Sequence, residues 1–110
     1  MQVKTGVDIV HLPTFSRSLD GGGEVFLARL FTDGEIKKQR VEHIAGLFAL
    51  KEAVIKALGL PAGSWHTIIV RHESTGKPIV SVDGQAPSSV DVSIAHHYEY
   101  AVASVVFLYE

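Results

Sequence analysis

The stretch from Val41 to Leu58, VEHIAGLFALKEAVIKAL, decides the fold. Its large apolar residues recur at intervals of three and four, the spacing that places side chains on one face of an α-helix. Glycines at 59 and 63, with a proline at 61, follow the stretch and end the pattern. The sequence therefore predicts a long helix here. Its apolar stripe consists of Ile44, Leu47, Phe48, Val54, Ile55 and Leu58.

Short runs of β-branched and apolar residues flank this helix and predict strands. These runs cover residues 3–10, 66–72, 78–82, 91–96 and 100–109. Three glycines at 21–23 predict a loop between two short helices, while residues 73–77 and 97–99 suit hairpin turns. The last run is almost wholly apolar, which is typical of a central strand. The element order predicts an α+β fold, an antiparallel-rich sheet packed on one long helix with shorter helices beside it.

Composition narrows the class of protein. The 110 residues are 46% hydrophobic and 20% charged, which predicts one globular domain over 1–110. A formal charge of -2 gives no overall attraction to nucleic acid or to an anionic membrane. Without cysteine, any metal must bind to oxygen or nitrogen. We find no secretion signal or membrane-spanning stretch, so we expect a cytoplasmic protein that acts without a membrane.

Lys51 lies near the middle of the apolar stripe of the predicted helix. One interpretation is that its stem covers apolar surface while the ammonium group reaches water. The other is that the cation points at an anionic ligand in a cleft. The pattern alone leaves both open.

Asp8, Glu52 and Lys56 are the other candidate site residues. Glu52 and Lys56 are four apart on the helix and so lie side by side, as in an ordinary surface ion pair. Asp8 interrupts an apolar strand, where a carboxylate is capped, paired or bound to metal. If Asp8 and Glu52 converge, they form a hard-oxygen site suited to Mg²⁺, and the two lysines would complement phosphate charge.

The six histidines show no zinc-binding spacing on the predicted helix. His96 is the one we retain, because it follows a strand of alternating character, where ligand-binding groups often lie. We find no nucleophile elbow, phosphate-binding loop or dinucleotide fingerprint.

Five segments, in this order, resemble the holo-acyl-carrier-protein synthase type of 4′-phosphopantetheinyl transferase. They are 6–10 (GVDIV), 29–35 (RLFTDGE), 48–59 (FALKEAVIKALG), 76–78 (GKP) and 92–96 (VSIAH). The third segment is the most specific, and together the five span nearly the whole chain.

The resemblance implies transfer of the phosphopantetheine arm from coenzyme A to a serine of an apo acyl carrier protein, releasing adenosine 3′,5′-bisphosphate. Asp8 and Glu52 would hold Mg²⁺, and Glu52, directly or through a metal-bound water, would help to deprotonate the serine. Lys56 would stabilise charge on the pyrophosphate or the leaving group. Lys51 and His96 would assist coenzyme A binding. The resemblance to the small members of the family also implies a homotrimer. The almost wholly apolar last strand would suit a subunit interface of that kind.

The chain departs from the family pattern in four places. Leu47 stands where the family usually has a basic residue, and the glycine loop over 59–63 is altered. Ala95 replaces the more usual serine or threonine before the histidine. The helix after the first strand offers the carrier protein only Arg17 as a basic residue.

Two other functions stay open. One is a non-catalytic module of the same fold that binds coenzyme A or a carrier protein. The other is a Mg²⁺-dependent phosphohydrolase, since two carboxylates and two lysines could equally activate water. The sequence lacks the additional acidic ligands common in two-metal sites, so this reading ranks below the module.

Overall fold

The computed structural model describes residues 1–36 and 40–110. In this part of the chain, strands and helices follow in the predicted order. They are β1 (Gln2–His11), α1 (Leu12–Leu30), α2 (Asp33–Ile36), α3 (Val41–Leu58), a 3₁₀ turn (Ser64–Thr67), β2 (Ile68–His72), β3 (Pro78–Val82), β4 (Ser89–His97) and β5 (Tyr100–Tyr109). No helix among the described residues is long and apolar enough to cross a membrane.

The strands form two antiparallel sheets. A three-stranded sheet has the order β1-β5-β4, which confirms the prediction that the last strand is central. The β2–β3 hairpin is a separate two-stranded sheet. In the larger sheet Asp8 lies opposite Ala103, which lies opposite Ile94 on the other side. Asp8 therefore belongs to the row of residues that faces α3, because directly opposed residues of neighbouring strands share a face.

Helix α3 covers one face of the larger sheet and has the bounds predicted from its periodicity. Leu47, Leu50 and Val54 of the helix are fully buried, as are the β5 side chains that face them. The helix ends at Gly59, which has a left-handed φ of 64° and donates its N–H to the Ile55 carbonyl. This conformation favours glycine because it lacks a Cβ atom.

Gly6 brings β1 unusually close to α3. A Cβ atom at Gly6 would lie 1.9 Å from the Ala53 carbonyl oxygen, a distance that no side chain tolerates. The glycine thus allows the strand to approach the helix backbone directly. Asp8, two residues further on, is carried with the strand toward the last two turns of α3.

Two local predictions need correction. The predicted break between two short helices is present, but it is narrower than a loop over 21–23: Gly21 and Gly22 are helical, and only Gly23, at φ 42° and ψ -121°, separates the two helical pieces of α1. The predicted strand 66–72 begins at Ile68 instead, since Ser64–Thr67 form a 3₁₀ turn. In that turn the Thr67 hydroxyl donates to the Ser64 carbonyl.

Candidate functional site

Asp8, Glu52 and Lys56 converge where β1 crosses α3. The Lys56 ammonium donates to Oδ1 of Asp8 at 2.7 Å and to the Val7 carbonyl at 3.2 Å. Glu52 lies one helical turn before Lys56, on the same side of α3. The Asp8 side chain is 17% exposed, whereas that of Lys56 is 58% exposed. Solvent therefore reaches the site from the side of Lys56.

The pKa of Glu52 is raised. Burial is the main cause, and the negative charge of Asp8 adds to it. The charge of Lys56 and the indole N–H of Trp65 act in the opposite direction. Two carboxylates therefore lie close enough to repel one another, and a bound cation would relieve that repulsion.

The pair of carboxylates fits Mg²⁺ in one specific way. Among the described residues, no group of three or more His, Cys, Asp or Glu side chains is arranged to hold a metal. Mg²⁺ keeps several waters and takes one or two carboxylates together with substrate phosphates. The donor set therefore suits an ion completed by water and a phosphorylated substrate, and it does not suit a metal bound by protein groups alone.

Lys51 has a different environment, and the interpretation that its ammonium group reaches water is wrong. The side chain is completely buried. Its ammonium donates to Oε1 of Glu35 at 2.9 Å and to the carbonyl oxygens of Leu30 at 2.7 Å and Trp65 at 3.1 Å. Burial lowers the pKa of Lys51, and the hydrogen bond and charge of Glu35 oppose this effect. All three ammonium hydrogens have partners within the chain.

Glu35 is the charged partner of Lys51, which the sequence did not predict. Its carboxylate accepts hydrogen bonds from the Thr32 N–H at 2.8 Å, the Val70 N–H at 2.9 Å and the Lys51 ammonium. The sequence did contain a signal for each partner, since Glu35 ends the segment 29–35 that resembles the family and Lys51 interrupts an apolar stripe. Pairing them requires the tertiary position of α2, which no local pattern gives.

His96 and Arg17 lie apart from the Asp8 cluster. The ring Nε2 of His96 is 2.8 Å from the Glu42 carbonyl oxygen, at the start of α3. Glu42 and Glu52 are ten residues apart, which is about 15 Å along a helix. Arg17 is exposed on α1, where its guanidinium donates to the Thr14 hydroxyl at 3.3 Å. Within one chain, His96 and the carboxylates therefore do not share a site.

Leu47, where the chain departs from the family pattern, is a core position. Leu47 is fully buried and belongs to the hydrophobic core. In the altered glycine loop, Gly59 and Gly63 both have positive φ angles, 64° and 84°. The loop returns the chain from the end of α3 to the 3₁₀ turn that carries Trp65.

Fold and cluster together describe a small α+β protein with an acidic, lysine-containing site suited to a divalent cation and phosphate groups. A sequence model of the 4′-phosphopantetheinyl transferase superfamily matches residues 4–105. The holo-[acyl-carrier-protein] synthase of Chlorobaculum tepidum is 41% identical over 116 residues, covering 96% of this chain and 97% of that protein.

Solved structures agree with the sequence match. The crystal structure of Helicobacter pylori holo-[acyl-carrier-protein] synthase in complex with coenzyme A has a TM-score of 0.87 and 30% identity, covering 94% of this chain and 98% of that one. That of the Bacillus anthracis enzyme, in complex with CoA (3′,5′-ADP), has a TM-score of 0.83 and 35% identity, covering 97% and 96%.

The chain belongs to the 4′-phosphopantetheinyl transferase superfamily. The family predicted from the five segments is confirmed, and so are the α+β fold and the enzyme class.

Proposed function

We propose that this protein transfers 4′-phosphopantetheine from coenzyme A to a serine hydroxyl of an apo acyl carrier protein, in a Mg²⁺-dependent reaction that releases adenosine 3′,5′-bisphosphate. The observation that carries the proposal is the convergence of Asp8, Glu52 and Lys56. Relatives named as holo-[acyl-carrier-protein] synthases, two of them in complex with coenzyme A or its nucleotide, support the choice of substrates.

Asp8 and Glu52 would hold the Mg²⁺ ion, which when bound neutralises charge on the pyrophosphate of coenzyme A. Glu52 accepts the proton of the carrier serine as its oxygen attacks the β-phosphorus. A carboxylate suits this role when its pKa is raised toward the working pH, and that of Glu52 is raised by burial and by Asp8. Positioning and charge neutralisation supply most of the catalysis in reactions of this type.

Lys56 acts on the phosphates. Its ammonium is largely exposed and is bound to Asp8 by one hydrogen bond of 2.7 Å. A flexible lysine in that position can exchange its contact with Asp8 for an oxygen of the pyrophosphate or of the departing nucleotide. It thereby stabilises the charge that develops as the phosphoanhydride bond breaks.

Lys51 is not carried into the proposal as a coenzyme A ligand. Its ammonium hydrogens are used by Glu35, Leu30 and Trp65, which leaves none for a phosphate. His96 keeps its proposed role in coenzyme A binding, and Arg17 keeps its proposed role in carrier binding. Cytoplasmic location and a single domain over 1–110 also stay predictions from the sequence.

We also propose a homotrimer in which a neighbouring copy completes the coenzyme A site. The separation of His96 from the carboxylates in one chain supports this arrangement. The sheet face that points away from α3 also exposes Val3, Val7, Ile9 and Val106, an apolar surface suited to burial between copies. Sedimentation velocity tests the assembly, and a monomer at micromolar concentration would contradict it.

Intact-mass spectrometry of apo carrier proteins tests the transfer. Carriers of fatty-acid, polyketide and peptide synthesis are each incubated with the protein, coenzyme A and Mg²⁺. We expect a mass gain of one phosphopantetheine group, lost with a chelator or when the carrier serine is replaced by alanine. Glu52→Gln should abolish the gain, whereas Asp91→Asn, which changes an exposed carboxylate paired with Lys77, should retain it.

The same assay separates the alternatives. A folded protein that binds coenzyme A and modifies no carrier would be a binding module. Chelator-sensitive breakage of the pyrophosphate in the absence of any carrier would indicate a phosphohydrolase.

A further inference from the structure

Trp65 contains a polar group that the proposed mechanism does not use. It is the only tryptophan of the chain. Its indole Nε1 is buried and has no hydrogen-bond partner among the described residues. Buried donors are rarely left unpaired, because they lose their hydrogen bonds to water without replacement. An unpaired donor beside a functional site indicates a partner that forms its bond in another state of that site.

The indole lies against the part of α3 that carries Glu52. Its ring centroid is 6.4 Å from that of Phe48. Phe48 and Glu52 are one turn apart on α3, so their side chains are neighbours on the helix surface. The indole N–H also lies close enough to the Glu52 carboxylate to lower its pKa. In the structure the N–H forms no hydrogen bond with this carboxylate.

The backbone of Trp65 is held by the buried ion pair. The Lys51 ammonium donates to the Trp65 carbonyl oxygen at 3.1 Å, and Glu35 holds the same ammonium at 2.9 Å. Lys51 and Glu52 are consecutive on α3. The ion pair thus connects the 3₁₀ turn to the residue next to the proposed base, and it limits where the indole can lie.

We propose that Trp65 is a positioning residue for Glu52: its indole N–H donates to one oxygen of the Glu52 carboxylate during the reaction and so directs the other oxygen toward the cation and the carrier serine. The Lys51–Glu35 pair holds the turn from which the indole reaches. This inference rests on the proposed function. Trp65 acts through Glu52 and does not contact the reacting atoms.

Replacement of one atom tests the proposal. Because Trp65 is the only tryptophan, expression in a tryptophan auxotroph with β-(3-benzothienyl)alanine exchanges the indole N–H for sulfur at this position alone. Expression with 5-fluorotryptophan, which retains the N–H, is the matched control. The readouts are kcat for carrier modification, KM for coenzyme A, the melting temperature, and Mn²⁺ affinity in the presence of coenzyme A, followed by electron paramagnetic resonance of the free ion.

We expect the benzothienyl protein to lose about tenfold to a hundredfold in kcat, the effect of one hydrogen bond to a charged group. Mn²⁺ should bind several-fold more weakly, while KM for coenzyme A and the melting temperature stay near their original values. The fluorotryptophan protein should behave as the unmodified one in all four readouts.

Three results would overturn the proposal. Unchanged kcat and Mn²⁺ affinity in the benzothienyl protein would show that the N–H does not position Glu52. A fall in melting temperature together with the loss of activity would make Trp65 a packing residue only. If the unmodified protein neither modified carriers nor bound Mn²⁺, the proposed function would fail first, and this inference with it.

Discussion

Helix α3 carries two lysines five residues apart that form two very different ion pairs. Lys51 is completely buried, and its three hydrogens are bound to Glu35 and two backbone carbonyls. Lys56 is 58% exposed and bound to Asp8, whose carboxylate lies beside a second carboxylate, that of Glu52. Lys51 therefore stabilises the fold, whereas Lys56, on the same helix, can exchange its carboxylate partner for another anion.

The comparison teaches that hydrogen-bond saturation distinguishes the two roles better than charge pairing does. A saturated buried pair cannot accept a ligand without losing bonds that water does not replace. A pair whose lysine is open to solvent, as Lys56 is, loses less when a phosphate takes the place of the carboxylate, because solvent-screened ion pairs contribute only about 0–1 kcal/mol. Function is thus expected at Lys56 and folding stability at Lys51.

The largest expected effect is therefore on folding. Lys51→Met removes a buried cation and leaves the Glu35 carboxylate unpaired, so we expect a loss of about 3–5 kcal/mol in the free energy of unfolding. Lys56→Met, its matched control, should change that energy by about 1 kcal/mol or less. Urea denaturation followed by circular dichroism measures both. Equal losses of stability in the two variants would contradict the assignment of a folding role to Lys51 alone.

A double variant sharpens this result. Adding Glu35→Gln to Lys51→Met removes the unpaired charge while an amide oxygen can still accept from the backbone of Thr32 or Val70. We expect it to recover part of the lost stability. Further destabilisation by the second substitution would mean that Glu35 stabilises the fold independently of Lys51.

The next effect is on activity. Asp8→Asn preserves the shape of the side chain and removes one of the two carboxylates, so carrier modification should fall about 100-fold to 1,000-fold. The melting temperature should stay close to that of the unsubstituted protein. Steady-state kinetics at several Mg²⁺ concentrations measures the effect, and a variant that keeps its rate and its Mg²⁺ dependence would remove Asp8 from the site.

Much of this arrangement could be predicted from the sequence. The bounds of α3 followed from its apolar periodicity, and the central position of β5 followed from its almost wholly apolar composition. The convergence of Asp8 with Glu52 and Lys56 was implied by the resemblance to the family, whereas the residue pattern indicated only that a carboxylate in an apolar strand is capped, paired or bound to metal. Each of these features leaves a local signal in residue type and spacing.

Other features depend on tertiary contacts and left no such signal. The partner of Lys51 lies 16 residues away, on a short helix whose position is set by packing. The helical state of Gly21 and Gly22 opposes their local preference and is compatible with a single break at Gly23. The burial of the Trp65 N–H beside Glu52 depends on the path of the loop after α3.

A smaller effect is expected at Lys56. Lys56→Ala removes one ammonium group from the phosphates, so kcat should fall about tenfold to a hundredfold. KM for coenzyme A should change much less, because the proposed contact strengthens as charge develops in the transition state. A rise in KM with kcat unchanged would reassign Lys56 to ground-state binding of coenzyme A.

The smallest expected effect is on stability as a function of pH. The pKa of Glu52 is raised above the ordinary value of 4.5, so the folded state binds its proton more tightly than the unfolded state does. Below pH 4.5 both states are protonated at this position and Glu52 costs no stability. As the pH rises from 4.5 to the raised pKa, the unfolded state loses its proton first and the folded state is progressively destabilised. Above that pKa the loss of stability is constant.

In metal-free protein, Glu52→Gln should therefore raise the melting temperature by a few degrees at neutral pH and by less as the pH falls toward 4.5. Differential scanning calorimetry in a chelator at several pH values measures the difference. A gain that is the same at every pH would mean that Glu52 titrates as an ordinary surface glutamate, with no cost of holding two carboxylates together.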